Sequence, residues 1–323
     1  DDPQRRLEIA AERLGKFTAG PVSAESPRQT PLSQPRRYTF PYGVDSIEDG
    51  ARKTMISINW LLGEKNDVNL NLALSVLSYV LIGSQAAPLR KALLDSGLGE
   101  DVQGGISAGL RQMAFSAGMK NIRSSDVDAV EALVLETIRT VAEKGFDPEL
   151  VEAAVNSIEF SLRENNTGGS PRGLSLMMRA LNTWLYGGDP LQSIRFEAQL
   201  AWLKEQLATN PTLLQDLMRT WLMENQHRVT VVLEPDTARN QEMEADEKAR
   251  LRSARATMTP EQINAVIANT QALRARQNQP DPPEVLALLP SIRLEDLEPY
   301  NRTTPSQLLE IAGIPTLYHD LDT

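Results

Sequence analysis

Apolar residues recur along this chain at two periods, and the switches between them outline its elements. Thr54, Ile56, Ile58 and Trp60 alternate with Met55, Ser57 and Asn59, the period-two pattern of a half-buried strand. Residues 68–82 form a dense apolar run and residues 88–95 a shorter helical pattern. Gly97 and Gly99 break the chain. Residues 102–108 and 112–120 then read as two strands, the second alternating through Met113, Phe115, Ala117 and Met119. Val127, Val130, Val134, Ile138 and Val141 return at helical spacing, with Ser124 or Ser125 as the cap and Gly145 as the stop. Helical patterns over 191–208 and 211–223 and a strand over 228–233 complete the series. One strand, two helices, two strands, a group of helices and a last strand make an α+β domain, an antiparallel-rich mixed sheet covered by helices on one face.

The centre of the pattern is a corner between two helices. Asp147-Pro148 opens a helix striped by Val151, Ala154, Val155, Ile158 and Leu162, which Asn165, Asn166, Gly168 and Gly169 then interrupt. Ser170 is placed to cap the next helix, with Pro171 in its first turn, and Leu174, Met177, Met178 and Leu181 resume the stripe. The corner carries Arg163, Glu164, Asn165, Asn166 and Arg172. One reading pairs Arg163 with Glu159 one turn back and uses the asparagines to satisfy helix ends. The other makes Arg163, Asn165, Asn166 and Arg172 a polar ledge facing a ligand.

Outside residues 38–235 the pattern thins. Asp2-Pro3 and the apolar positions Leu7, Ile9, Ala10, Ala11 and Leu14 predict a helix ended near Gly15. Pro21, Pro27, Pro31 and Pro35 follow, making residues 1–37 a helix and a linker. Beyond Pro235 the composition turns to Glu, Lys, Arg, Ala and Gln. A helical segment over 239–257 and a capping box at Thr259-Pro260-Glu261-Gln262, followed by Ile263, Val266, Ile267, Thr270 and Leu273, predict an antiparallel helical hairpin over 236–300. Residues 301–323 are loop-rich until Thr316-Leu317-Tyr318-His319-Asp320, which reads as the first strand of a domain left incomplete. Charged residues at the start, from Asp1 to Arg6, suit neither a secretory leader nor a natural beginning, so the chain reads as cut from something longer.

Composition sets limits on function. At 323 residues and 41% hydrophobic, the chain can bury a sizeable core. A net charge of −10 and a pI near 4.9 argue against nucleic acid, whose phosphates need clustered Lys and Arg. The run 70–82 is too short and too interrupted by Asn71, Ser75 and Ser78 to span a bilayer, so no membrane is expected. There is no cysteine, which removes disulfides and thiolate metal sites. The glycines from Gly97 to Gly109 lack both the dinucleotide spacing and a terminal Lys-Ser/Thr pair, and read as turns.

Catalytic readings fail on residue supply. A zinc peptidase needs two imidazoles on one helical face beside a carboxylate base, whereas this chain has only His227 and His319, far apart in sequence and outside any His-x-x-Glu-His arrangement. A Ser-His-acid site would depend on the same two histidines. The carboxylate pairs Glu152 with Glu159 and Glu234 with Asp236 read as surface charge, and the sequons at Asn165 and Asn301 carry no weight without a secretory leader.

The stretch from Glu159 to Leu176, Asn59-Trp60-Leu61-Leu62, Pro88-Leu89-Arg90-Lys91, Ser96-Gly97-Leu98-Gly99 and Pro280-Asp281-Pro282-Pro283-Glu284 together resemble, in order, the middle of presequence-protease-like zinc metallopeptidases of the insulinase (pitrilysin) superfamily. The resemblance implies the second, non-catalytic domain of the amino-terminal half plus the connector between halves. It implies no catalytic residue, metal ligand or cofactor in this chain, the zinc being held by a preceding catalytic domain. It also implies that this domain forms part of a chamber wall around unfolded peptides while the hairpin acts as a hinge, with the preceding domain and following half of the same polypeptide as partners. The compartment would be cytoplasmic in a bacterium and an organellar matrix in eukaryotes. The alternative is a stand-alone peptide-binding or scaffold module of inactive peptidase fold.

Overall fold

The computed structural model describes residues 2–18, 20, 27–48, 50–289, 292–297, 300 and 304–319. Residues 21–26 of the expected linker, the sequon at Asn301 and Asp320 of the terminal strand-like run lie outside them. The chain divides into two units, Asp1–Asp246 and Glu247–Thr323.

In the first unit the period-two segments assemble one sheet. Helix α1 (Pro3–Leu14), capped by Asp2, is exposed along its length. Strands β1 (Arg36–Gly43) and β2 (Thr54–Glu64) follow. Next come α2 (Val68–Ser78), a π-helical turn over Tyr79–Gly83, and α3 (Pro88–Asp95). Strands β3 (Asp101–Ser107) and β4 (Gln112–Ile122) lead to α4 (Val127–Lys144), α5 (Pro148–Glu164), α6 (Arg172–Trp184), α7 (Glu197–Thr209) and α8 (Leu213–Met218). A second π-helical turn, Arg219–Met223, precedes β5 (Arg228–Asp236) and α9 (Arg239–Ala256). The sheet order is β1-β5-β2-β4-β3, with β1 parallel to β5 and the other pairs antiparallel.

Helices cover one face of this sheet, as the fold class predicts. Ile56, Ile58, Trp60 and Leu62 of β2 and Met113, Phe115, Ala117 and Met119 of β4 are buried, together with Val130, Val134 and Ile138 of α4 and Leu74, Val76 and Leu77 of α2. Full burial of such side chains contributes about 1.5–3 kcal/mol each. Trp60 lies against Phe115, ring centroids 5.8 Å apart, and its indole N–H donates to the Leu222 carbonyl at 2.8 Å, so its polar atom is satisfied inside the core.

The alternate positions form a second, half-exposed face. Met55, Ser57, Asn59 and Leu61 of β2 lie in register with Leu233, Val231 and Val229 of β5 and with Gly118, Ser116 and Ala114 of β4. Tyr38 and Phe40 of β1 extend the rows to the sheet edge, their rings stacked at 6.2 Å.

The stretch Val68–Asp95 is apolar and long enough by composition to cross a membrane. Here it is bent: Ser84 is extended (φ −118°, ψ 167°), and the apolar side chains on both sides of that break enter the core. Three sequence expectations shift. The pattern over 191–208 starts its helix only at Glu197, after hydrogen-bonded turns around Asp189 to Ile194. Ser170 does not cap α6: the N-cap is Pro171, without a side-chain bond, and the Ser170 carbonyl instead accepts from the Thr167 hydroxyl. Ser124 does not cap α4 but shares a hydrogen bond with Thr54 at the end of β2.

The second unit holds the end of α9, then α10 (Pro260–Asn278) with its capping box formed, a short α11 (Pro283–Leu286), and a hairpin of β6 (Gln307–Ile311) and β7 (Ile314–Tyr318). Neither α9 nor α10 contains a buried residue.

Candidate functional site

The corner between α5 and α6 closes as its residue types dictate. Asn165 ends α5 in the left-handed conformation (φ 46°), where asparagine is tolerated better than most residues, and its N–H satisfies the Ser161 carbonyl. Its Oδ1 accepts from Arg179 Nη2 of α6 at 3.2 Å, tying the two helices across the corner. Asn166 turns its Oδ1 back onto the Gly168 N–H at 2.9 Å.

Arg163 forms the ion pair that its spacing predicts, reaching Glu159 Oε1 at 2.7 Å, and its guanidinium lies 5.9 Å from the centre of the Phe196 ring. Glu159 also accepts from Lys204 of α7 at 2.5 Å. The bond from Lys204 and then that from Arg163 hold the Glu159 carboxyl below its usual range. Arg172 stands exposed on the first turn of α6. Thus Asn165 and Arg163 connect to neighbouring elements, while Asn166 and Arg172 are not drawn to a common point.

Beside this corner lies a cleft of ≈ 260 Å³. Its walls are Lys65 after β2, Asn71, Leu72 and Ser75 of α2, Leu162 of α5, Arg179, Asn182 and Thr183 of α6, and Gln192, Ser193, Phe196 and Gln199 around the start of α7. Lys65, in the turn after β2, is 6% exposed, and burial pushes its ammonium below its ordinary pKa. The Gln199 Oε1 is buried with no hydrogen-bond partner. Lys65, Arg179 and Gln199 escape a reading of the sequence. Lys65 sits among Glu64, Asn66 and Asp67 in a stretch with every mark of a solvated turn, and only the tertiary fold brings the three together.

The chain's residues do not fit a catalytic zinc. Among the described residues no group of three or more His, Asp or Glu could hold a metal. Both histidines are engaged elsewhere: His227 Nδ1 accepts from the Leu32 N–H at 3.1 Å, and His319 Nδ1 lies 2.9 Å from the Ser306 hydroxyl.

Comparison with known proteins places these residues in a family. A family model described as the peptidase M16 inactive domain matches residues 2–158, and one for the region associated with subfamily C of the M16 peptidases matches residues 233–323. Presequence protease 1, chloroplastic/mitochondrial, of Arabidopsis thaliana is 39% identical over all of this chain and 30% of its own length. Protein HypA of Clostridium perfringens is 33% identical over all of this chain and 33% of its own length. The chain thus spans about a third of the length of these curated relatives. Among solved structures, a protease from Helicobacter pylori superimposes with a TM-score of 0.56 at 12% identity, over 73% of this chain and 53% of that one, a likeness of fold. The chain belongs to the M16 peptidase family, as an inactive domain and subfamily C associated region of the presequence-protease type.

Proposed function

We propose that this chain is a non-catalytic structural segment of a presequence-protease-like zinc metalloendopeptidase, forming part of the wall of a peptide chamber and the connection between two halves of the enzyme. The observation that carries this reading is the two-sided sheet. One face is sealed by helices, while the other is a broad surface of Ser57, Asn59, Ser116, Val229 and Val231 that is only half-buried in this chain. A rigid sheet with one open face suits a wall, since unfolded peptides meet both apolar and hydrogen-bonding groups on it.

In this reading zinc is bound in a preceding catalytic domain, and the partners are that domain and the following half of the same polypeptide. The substrates are short unfolded peptides. In this reading α9 and α10, joined by the capped turn at Thr259, serve as the hairpin connector that lets the halves open, because hinge motion needs few residues at element ends. Arg163, Asn165, Asn166 and Arg172 form the polar corner at the chamber's margin. In a bacterial parent the compartment is the cytoplasm, and in a eukaryotic parent an organellar matrix.

Peptide hydrolysis tests the reading. The chain is assayed with added zinc, alone and then with a separately produced preceding domain and following half. Turnover only in the mixture is expected, and turnover by the chain alone would overturn the proposal.

A further inference from the structure

The cleft beside the corner has a composition that its role as wall does not explain. The chain carries 43 acidic residues and a net charge of −10, yet no Asp or Glu lines this cleft, while Lys65 and Arg179 both do. Lys65 is 6% exposed as a residue, while its ammonium is not among the buried unpartnered atoms and so keeps access to the cleft. A cation set on a cleft with no carboxylate on its walls is placed to meet an anion. Among the described residues Arg179 makes one side-chain bond, to Asn165, which leaves guanidinium donors for a second acceptor. On the same walls, Gln199 Oε1 is buried and unpartnered, an acceptor waiting for an N–H.

Two donors bearing positive charge and one orphaned acceptor match a specific chemistry. A carboxylate next to an amide N–H is the terminal residue of a peptide. The rest of the wall is mixed: Asn71, Ser75, Asn182, Thr183, Gln192 and Ser193 are polar, while Val68, Leu72, Ala108, Leu162 and Phe196 give an apolar part that suits that residue's side chain. At ≈ 260 Å³ the cleft falls just below the roughly 300–1,000 Å³ of sites for drug-sized ligands, so it takes one residue rather than a folded element. A second groove along Leu174, Ser175 and Met178 shares Arg179 and Asn182 with it, which gives the preceding residues of a peptide a path away from the cleft.

We propose that this cleft binds the free C-terminal residue of a peptide, with Lys65 and Arg179 holding its carboxylate, Gln199 accepting its amide N–H and Leu72, Leu162 and Phe196 receiving an apolar side chain. The proposal rests on the reading that peptides are what the parent protein handles. It adds a means of selecting them by their free end.

Isothermal titration of the full chain with the tripeptide Ala-Ala-Leu, its C-terminal amide, and 4-methylpentanoic acid tests it. The free acid is expected to bind roughly tenfold or more tighter than the amide, since charge-assisted hydrogen bonds are lost in the amide. Lys65→Met and Arg179→Met are each expected to weaken the free acid toward the amide while leaving the amide unchanged. Lys65→Met keeps the length and apolar stem of the lysine, so an unchanged melting temperature shows that the variant is folded. Equal affinity for acid and amide, no binding of either, or acid binding unmoved by both variants would overturn the site. 4-Methylpentanoic acid, which keeps the carboxylate and side chain of a terminal leucine but lacks the amide N–H, binding as tightly as the tripeptide would assign the cleft to a small carboxylic acid and overturn the peptide assignment. The hydrolysis assay of the reassembled enzyme is independent of this outcome. Turnover in the mixture without acid-over-amide discrimination sinks this proposal alone, and discrimination without turnover sinks the chamber reading alone.

Discussion

His227 accepts the Leu32 N–H through Nδ1, and so holds the chain ahead of β1 against the start of β5. Only a neutral imidazole can do this. Burial, and after it the positive charge of Arg36, push the His227 pKa below its ordinary value of 6.5. The folded state therefore binds its proton later than the unfolded state on acidification. The contribution is complete above pH 6.5 and is lost as the pH falls through the depressed folded value. One net hydrogen bond is involved, so the expected loss is about 1 kcal/mol. Hydrogen exchange at Leu32, corrected for intrinsic rate, should show full protection above pH 6.5 that declines as the pH falls below it. His227→Gln, which retains an acceptor, should flatten that dependence. An unchanged Leu32 protection across this range would remove His227 from the role.

At the scale of elements, the sheet is held in register by a close approach that only glycine permits. A Cβ on Gly118 of β4 would stand 1.9 Å from the Ile56 carbonyl oxygen and 2.9 Å from Ser57 Cα, both backbone atoms of β2 that cannot rotate away. Gly118→Ala must force β4 and β2 apart, at a cost of about 3 kcal/mol. Urea unfolding should show a lower midpoint with an unchanged slope, which reports lost stability without a change in the surface exposed. A midpoint shift equivalent to under ~0.5 kcal/mol would show that the strands yield easily.

The same pair shows what was legible in the sequence. The alternations of β2 and β4 were readable because one face is buried, and α3, α5 and the capped start of α10 follow their proline and cap residues. Strand β1 was not readable. Pro35 and Pro41 gave it the look of a linker, although an edge strand tolerates a residue without an N–H and Tyr38, Phe40 and Tyr42 do alternate. Hairpin strand β6 was also missed, its five residues all exposed and without a buried face to impose period two. The Arg163–Glu159 pair was visible from its spacing, whereas Glu159's second partner Lys204, 45 residues away, depended on how α7 packs.

For the whole molecule, the two units differ in what stabilises them. In the first, β2, β4, α2 and α4 share one core, so amides such as those of Ile58 and Ala117 are exposed only by global unfolding, at roughly 5–15 kcal/mol. In the second, α10 is 19 residues long and correctly capped but buries nothing. Val266, Ile267 and Leu273 are each at least 50% exposed. Helices of that length without a packed face are marginal in water, since propagation alone barely repays nucleation. Hydrogen exchange on the full chain should therefore find residues 260–278 opening at a free energy near 0, and the amides of β2 and β4 slower by several orders of magnitude. If the helices of this unit join the halves of a peptidase, adding the following half should bring protection to residues 260–278 while leaving the exchange of β2 unchanged. Protection of α10 in the chain alone equal to that of the sheet would contradict the first expectation. Failure of the added half to protect it would count against the connector role, because these exposed apolar side chains would then have no neighbour among the proposed partners.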